Sequence, residues 1–223
     1  MTLSPMKGNP QDKRTTPIKR LPHKESHDPL HFEELLTRSR VAHIAIDDGG
    51  PIILPVGCAP SQDRTEIFLH GSSASRLFSK LQAGVEACLT LTILEGLVLA
   101  RSAFESSMHY KSLIAFGKAR NLEGEEKIAA LDLLVEHLLP GRLRELRPST
   151  TQELKATALV AFPLDDYSIK VSSADPQDKP EDLDARIWAG VIPIHESFGQ
   201  PQPAENLDPS IPVPDYIKSW KTK

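Results

Sequence analysis

The 223-residue chain is ordinary in bulk, 39% hydrophobic and 25% charged, and its formal net charge of −4 argues against a dedicated nucleic-acid binder. No apolar run approaches the ~18 residues of a membrane span, and no hydrophobic signal core follows the basic start, so a soluble, cytoplasmic protein is expected. Cys58 and Cys88 are the two cysteines, each in a strand-like segment without CxxC spacing, which fits buried thiols in a reducing compartment.

Residues 1–24 carry six Lys or Arg against one Asp, punctuated by Pro5, Pro10, Pro17 and Pro22. They read as a flexible basic arm, with 18–21 laid along the body as an edge strand. Asp28-Pro29 supplies an N-cap and a first helical residue, and Leu30, Leu35 and Leu36 stripe a helix that runs through Arg38. Residues 41–46 and 52–59 form a hairpin around Asp47-Asp48-Gly49-Gly50. Pro55 inside its second strand removes a ladder donor, so that strand is an edge or meets a ligand there. Residues 66–70 make a third strand, and 75–82 a helix closed by Gly84.

Alternation over 87–94 predicts a strand that Glu95-Gly96 turns back into 97–102. Another strand spans 112–121 through Gly117, where a close approach of backbone or cofactor is expected. The apolar positions of 125–139 fall on one helical side, and Pro140-Gly141 ends it. Ser149-Thr-Thr-Gln-Glu153 has capping-box spacing for a short helix. Strands follow at 158–162, 168–172 and 186–194, and the five prolines after Glu196 mark an extended tail. Strands outnumber helices and come as hairpins, so the class is mainly β with peripheral helices, a barrel rather than a doubly wound sheet. The expected parts are an arm (1–24), one barrel domain (25–195) and a tail (196–223).

The segment 70–76, His-Gly-Ser-Ser-Ala-Ser-Arg, carries the chemistry. A strand ending in His70 runs through Gly71 and Ser72 to Ser75 and Arg76 at a helix start, so backbone N–H groups, hydroxyls and a guanidinium converge on one anion. A second block places Tyr110, Lys111 and Ser112 at a strand entry. GxGxxG, Walker, GxSxG and HExxH patterns are all missing, and the eight histidines show no ligand spacing, so no metal site is expected.

Taken together, the strand–His-Gly-x₃-Ser-Arg–helix pattern, the run 87–104 and Met-His-Tyr-Lys-Ser-Leu-Ile-Ala-Phe-Gly-Lys-Ala (108–119) resemble the FMN-binding split-barrel superfamily. The chain is similar to its pyridoxamine 5′-phosphate oxidase-related branch, which includes nitroimidazole-resistance flavoproteins; residues 14–195 are covered. The resemblance implies a split β-barrel homodimer with flavin at the subunit interface and a small-molecule substrate. It further implies FMN phosphate on Ser75 and Arg76, the isoalloxazine along Pro55-Val56-Gly57, Tyr110, Lys111 and Ser112 at the phosphate or ribityl chain, and Trp188 beside the ring from the second subunit. His70 matches the histidine of the nitroimidazole-resistance branch and stands as the catalytic candidate. Residues 52–59 lack the basic residues of the true oxidases, so vitamin B6 oxidation is not implied. FAD or haem is the alternative cofactor, with His70 or His109 as axial ligand, and a non-enzymatic flavin carrier is the alternative role.

Overall fold

The computed structural model describes residues 17–220, and the greater part of the basic arm lies outside them. Nine strands build one antiparallel sheet: β1 (Val41–Asp47), β2 (Pro51–Pro60), β3 (Glu66–Ser72), β4 (Glu86–Leu99), β5 (Ser107–Lys118), β6 (Arg120–Asn121), β7 (Thr157–Pro163), β8 (Asp166–Ser172) and β9 (Gly190–Pro193). Their order is β6-β7-β3-β2-β1-β4-β5-β8, with β9 added to the far end of β4. The sheet curls into a split barrel, and five helices sit around it: α1 (Pro29–Arg38), α2 (Arg76–Gln82), α3 (Gly124–Leu138), α4 (Thr151–Ala156) and α5 (Asp215–Lys218).

Alternation sets the inside of the barrel. Ala42, Ile44 and Ile46 of β1, Leu89, Leu91 and Ile93 of β4, and Leu113 and Ala115 of β5 point inward. Two helices plug the ends of this core, α1 with Phe32, Leu35 and Leu36 and α2 with Leu77, Phe78 and Leu81. The other face of β3 and β7 is apolar as well: Phe68, Leu159 and Ala161 pack under Ala130 and Leu134 of α3. Those two strands therefore read as continuous hydrophobic runs, because helix covers one face and barrel core the other.

The split arises in β2. Residues 51–57 pair with β1, whereas Cys58, Ala59 and Pro60 pair with β3. Beyond Cys58 the two strands part, leaving the outer stretch of β2 with an open edge. Pro55 falls on that open stretch, as its missing N–H requires.

The helix caps follow the sequence. Asp28 accepts from the Leu30 N–H at 2.9 Å, and Thr150 and Glu153 form a complete capping box. Five local expectations change. Glu95-Gly96 is a bulge in a continuous β4, since β5 pairs on both sides of it and β9 joins its far half. Residues 18–21 are not a strand: Leu21 takes a left-handed φ of 60° ahead of a 3₁₀ turn at Pro22–Lys24, and Glu25 alone bridges to β8. The strand expected through Asn121 breaks after Lys118 into β5 and β6, and the last strand shrinks to Gly190–Pro193. Gly117 admits protein rather than cofactor, because Pro163 Cγ lies 2.9 Å from where its Cβ would stand.

The tail wraps back over the body as an extended chain ending in α5. Trp220 donates its indole N–H to the Pro140 carbonyl at 3.0 Å, and its ring packs on Phe198 and Tyr216. The tail is thereby anchored at the C-terminal end of α3.

Candidate functional site

The opening between β2 and β3 gathers most of the residues singled out in the sequence. Cys58 donates its N–H to the Arg40 carbonyl at 3.0 Å, and antiparallel pairing alternates from there. Ile53 and Pro55 consequently turn their backbone groups to the open edge. On the opposite bank β3 runs from His70 through Gly71 and Ser72 to Ser75, the N-cap of α2, and Arg76.

His70 stands where the strands part. It shares a face with Phe68, so its ring points toward α3 and away from the barrel core. Gly57 makes room for it: a Cβ there would stand 3.0 Å from His70 Cε1 and 3.7 Å from Leu138 Cδ1. His70 Nδ1 is buried and has no hydrogen-bond partner. Buried ring nitrogens in native proteins are nearly always satisfied, so an orphan at a cleft is a natural place for a bound group.

The far end of the opening is latched. Arg76 Nε donates to Asp48 Oδ2 at 2.5 Å and its Nη2 to the Asp48 carbonyl at 3.1 Å, while Lys80 Nζ lies 2.8 Å from Oδ1. These contacts join α2 to the β1–β2 hairpin and hold the Asp48 carboxyl below its ordinary range, Lys80 contributing most and Arg76 next. Arg76 is itself 69% exposed, so its guanidinium remains open to a second anion. Asp48 was legible only as a turn residue. Its role follows from the hairpin tip folding against α2, a non-local event.

Gly71 has a packing duty. Its missing side chain leaves the space that the Phe78 ring fills, with ring carbons 2.2, 2.6 and 2.9 Å from a would-be Cβ. Ser72 and Ser75 shape the turn into α2: the Ser75 N–H donates to the Ser72 carbonyl at 3.0 Å, and Ser72 Oγ accepts from the Ala74 N–H at 3.2 Å. The Ser75 hydroxyl caps no helix N–H.

The Tyr110-Lys111-Ser112 block lies elsewhere in the chain, three strands across the sheet from β2. Its members also divide between two faces, as neighbours on a strand must. Lys111 turns under α1, where its ammonium meets Glu95 at 2.7 Å and Glu34 at 3.0 Å. Arg38 Nη1 closes the network at 2.6 Å from Glu34 and 3.0 Å from Glu95. Burial raises the Glu34 carboxyl, but the hydrogen bonds from Lys111 and Arg38 outweigh it and bring the group below its ordinary range. Tyr110 and Ser112 face outward beside Lys170, whose ammonium lies 6.0 Å from the Tyr110 ring centroid. Trp188 is 64% exposed at the end of the molecule near β9, its indole over Gly190. His109 Nε2 is 2.9 Å from the Ala174 carbonyl, whereas His70 Nδ1 is unpaired.

Away from α3, the outer face of the barrel sheet carries exposed apolar side chains. Val41, Ile53, Leu94 and Ile114 are between 39% and 62% exposed, each at an outward-facing register position. No helix among the described residues is long and apolar enough to cross a membrane, and the same residues hold no cluster of metal-ligating side chains.

A curled antiparallel sheet opened between β2 and β3, with a histidine at the fork and an arginine at the mouth, defines a split-barrel protein. The chain belongs to the pyridoxamine 5′-phosphate oxidase-like family, whose model matches residues 28–171. Among solved structures it is similar to the FAD and haem binding protein from Mycobacterium smegmatis. The two share 35% identity over 89% of this chain and 98% of that one, with a TM-score of 0.85. It is also similar to the flavocytochrome Anf3 from Azotobacter vinelandii, at 32% identity over 92% and 95% of the two chains and a TM-score of 0.83. A structure from Bacteroides thetaiotaomicron, named for a candidate role in 5-nitroimidazole resistance, shares the fold at 21% identity, over 66% of this chain and 86% of that one, with a TM-score of 0.55. No protein of curated function matches the sequence significantly.

Proposed function

We propose that this protein is a cytoplasmic, homodimeric flavin- and haem-binding oxidoreductase whose prosthetic groups meet at the β2–β3 opening. The carrying observation is the buried, unpartnered Nδ1 of His70 at the fork. Support comes from two near-full-length neighbours described as an FAD and haem protein and as a flavocytochrome. They put FAD ahead of the FMN that the Ser75-Arg76 motif alone suggests. The exposed apolar sheet face supports dimerisation, since contiguous apolar surface on a soluble protein marks an interaction site. Across such an interface the partner's Tyr110, Ser112 or Trp188 could complete a site that one protomer leaves open.

The residues present fit these groups. Arg76 and the Ser75 hydroxyl would take flavin phosphate, with Arg76 turning from Asp48 toward the more highly charged anion. The backbone of Ile53 and Pro55 would offer its unpaired groups to the polar edge of the isoalloxazine. His70 would hold haem iron through a ring nitrogen or, in a flavin-only protein, serve as a hydrogen-bonding and proton-holding group beside the ring. When bound, the flavin supplies hydride or electron transfer and the haem one-electron chemistry. The protein's share is to orient them and exclude water.

Reconstitution tests the reading. Apoprotein is offered FAD, FMN and haemin, singly and together, and retention is measured after gel filtration. Arg76→Ala should weaken flavin binding by roughly 10- to 100-fold, the loss of charge-assisted contacts. His70→Ala should abolish or shift the Soret band while the dimer persists. Retention of neither flavin nor haem by the wild-type chain would overturn the proposal, as would spectra indifferent to both substitutions.

A further inference from the structure

One cavity beside the opening belongs to none of the motifs. It has a volume of about 270 Å³ and lies between the end of α1, β1 and the first residue of the tail, lined among others by Ser39, Arg40, His43, Thr92 and Glu196. Three consecutive residues on its wall each hold a buried polar atom without a partner: Arg38 Nε, Ser39 Oγ and Arg40 Nε. Ser39 is only 7% exposed. Orphaned donors are rare in native interiors, and three in a row around one cavity point to a ligand that satisfies them.

Charge selects the ligand. The Arg38 guanidinium is already balanced, because Arg38 and Lys111 face Glu34 and Glu95 in a network of two cations and two carboxylates. Arg40 has charge to give. Its nearest carboxylate is Glu196, at 4.0 Å, beyond hydrogen-bond distance, and its other neighbour is the face of Phe198, 5.2 Å from the ring centroid. A guanidinium fork with a serine hydroxyl beside it suits a planar carboxylate. The cavity lies at the lower end of the size range of ligand pockets, so it fits a carboxylate arm or a short acid rather than a whole large ligand. Its direction is informative as well. Val41 pairs with Gly57, whose open face holds the His70 ring, so a carboxylate seated on Arg40 carries the rest of its molecule toward His70.

We propose that this cavity is a carboxylate-binding subsite, guarded in the free protein by Glu196. That residue is 69% exposed and opens the tail, which Trp220 anchors at Pro140. Its side chain stands at the mouth as an internal carboxylate and yields to an incoming one. The subsite takes either a small organic acid that reacts near His70 or the carboxylate arm of a bound tetrapyrrole. The second source rests on the haem reading; the first does not.

The test uses the full chain and two probes. Titration calorimetry with propionate at neutral pH reads the subsite directly. Arg40→Gln and Ser39→Ala should each weaken binding, the former by about tenfold or more, whereas Glu196→Gln should tighten it several-fold by removing the competing carboxylate. That opposite sign is one that mere damage to the fold does not produce, and unchanged far-UV circular dichroism verifies folding. The second probe compares haemin with its dimethyl ester. Preference for the free acid, lost in Arg40→Gln, assigns the subsite to the tetrapyrrole; equal binding of acid and ester with saturable, Arg40-dependent propionate binding assigns it to a small acid. A chain that takes up no haem in either form but binds propionate in this pattern sinks the haem reading and keeps the subsite. Propionate binding that is absent in wild type and Glu196→Gln alike, or indifferent to Arg40→Gln, overturns the subsite unless haemin shows the Arg40-dependent preference for free acid.

Discussion

Replacing Gly71 by alanine separates two accounts of the His70–Arg76 segment. In the structure the added Cβ would meet three Phe78 ring carbons at 2.2, 2.6 and 2.9 Å. Ordinary carbon contacts begin near 3.5 Å, so ring or strand must move by about 1.3 Å. Neither moves freely. Phe78 is 3% exposed between Leu77 and Leu81, and β3 is paired with β7 through Gly71 itself. The φ of Gly71 is not positive, so the backbone adds no strain of its own. Overpacking of this kind costs roughly 1–3 kcal/mol, and a shift beyond 1 Å belongs at the upper end. For a chain of this size about 3 kcal/mol corresponds to a fall in Tm of some 6–12 °C. Thermal and urea unfolding of the apoprotein measure it, and adding Phe78→Leu should recover part of the loss, since the two sites share one space. A Tm within about 2 °C of wild type would refute the packing argument. If that stable variant also lost flavin, Gly71 would belong to the cofactor cradle instead.

Three further outcomes are expected. Lys111→Met should destabilise the protein by about 1–3 kcal/mol in urea unfolding, because Glu34 and Glu95 are then left with Arg38 as the one cation between them, and Glu95→Gln in the same chain should restore part of it. The Glu153 carboxyl is lowered from 4.5 to about 2 by Arg147 and by the backbone and side chain of Thr150. A depressed carboxylate stabilises above its unfolded value and loses that contribution as pH falls through the folded one, so the stability gap between wild type and Glu153→Gln should close as pH drops from 4.5 toward 2. Burial pushes the Cys58 thiol up to about 12, so in native protein iodoacetamide should reach Cys88 well before Cys58, read by peptide mass.

Much of the fold was legible because its signals are local. The Asp28-Pro29 start of α1, the Thr150–Glu153 capping box and the alternation of β1 and β4 each depend on a few neighbouring residues. Failures came where a distant partner decides. Glu95-Gly96 reads as a turn in isolation, yet β9 lies across Gly96, with the Ile192 carbonyl 3.1 Å from its would-be Cβ, and holds β4 straight through a bulge. Gly71 reads as part of a phosphate loop, although the ring that needs its space is seven residues on. Of the candidate set, Gly57 and His70 meet where β2 and β3 part, and Ser75 and Arg76 follow on from β3 into α2. Lys111 was separable even from the sequence, since consecutive strand residues face opposite ways and cannot all reach one phosphate. Arg40 and Glu196 carried no motif, because what distinguishes them is a missing partner, and that is visible only after folding.

The most direct test of the central claim is the visible absorption spectrum of the freshly purified full-length protein, with the released cofactors identified by mass. The account predicts flavin bands together with a Soret band that His70→Ala removes or displaces, and FAD among the released compounds. A colourless protein that takes up neither added flavin nor haemin would contradict it.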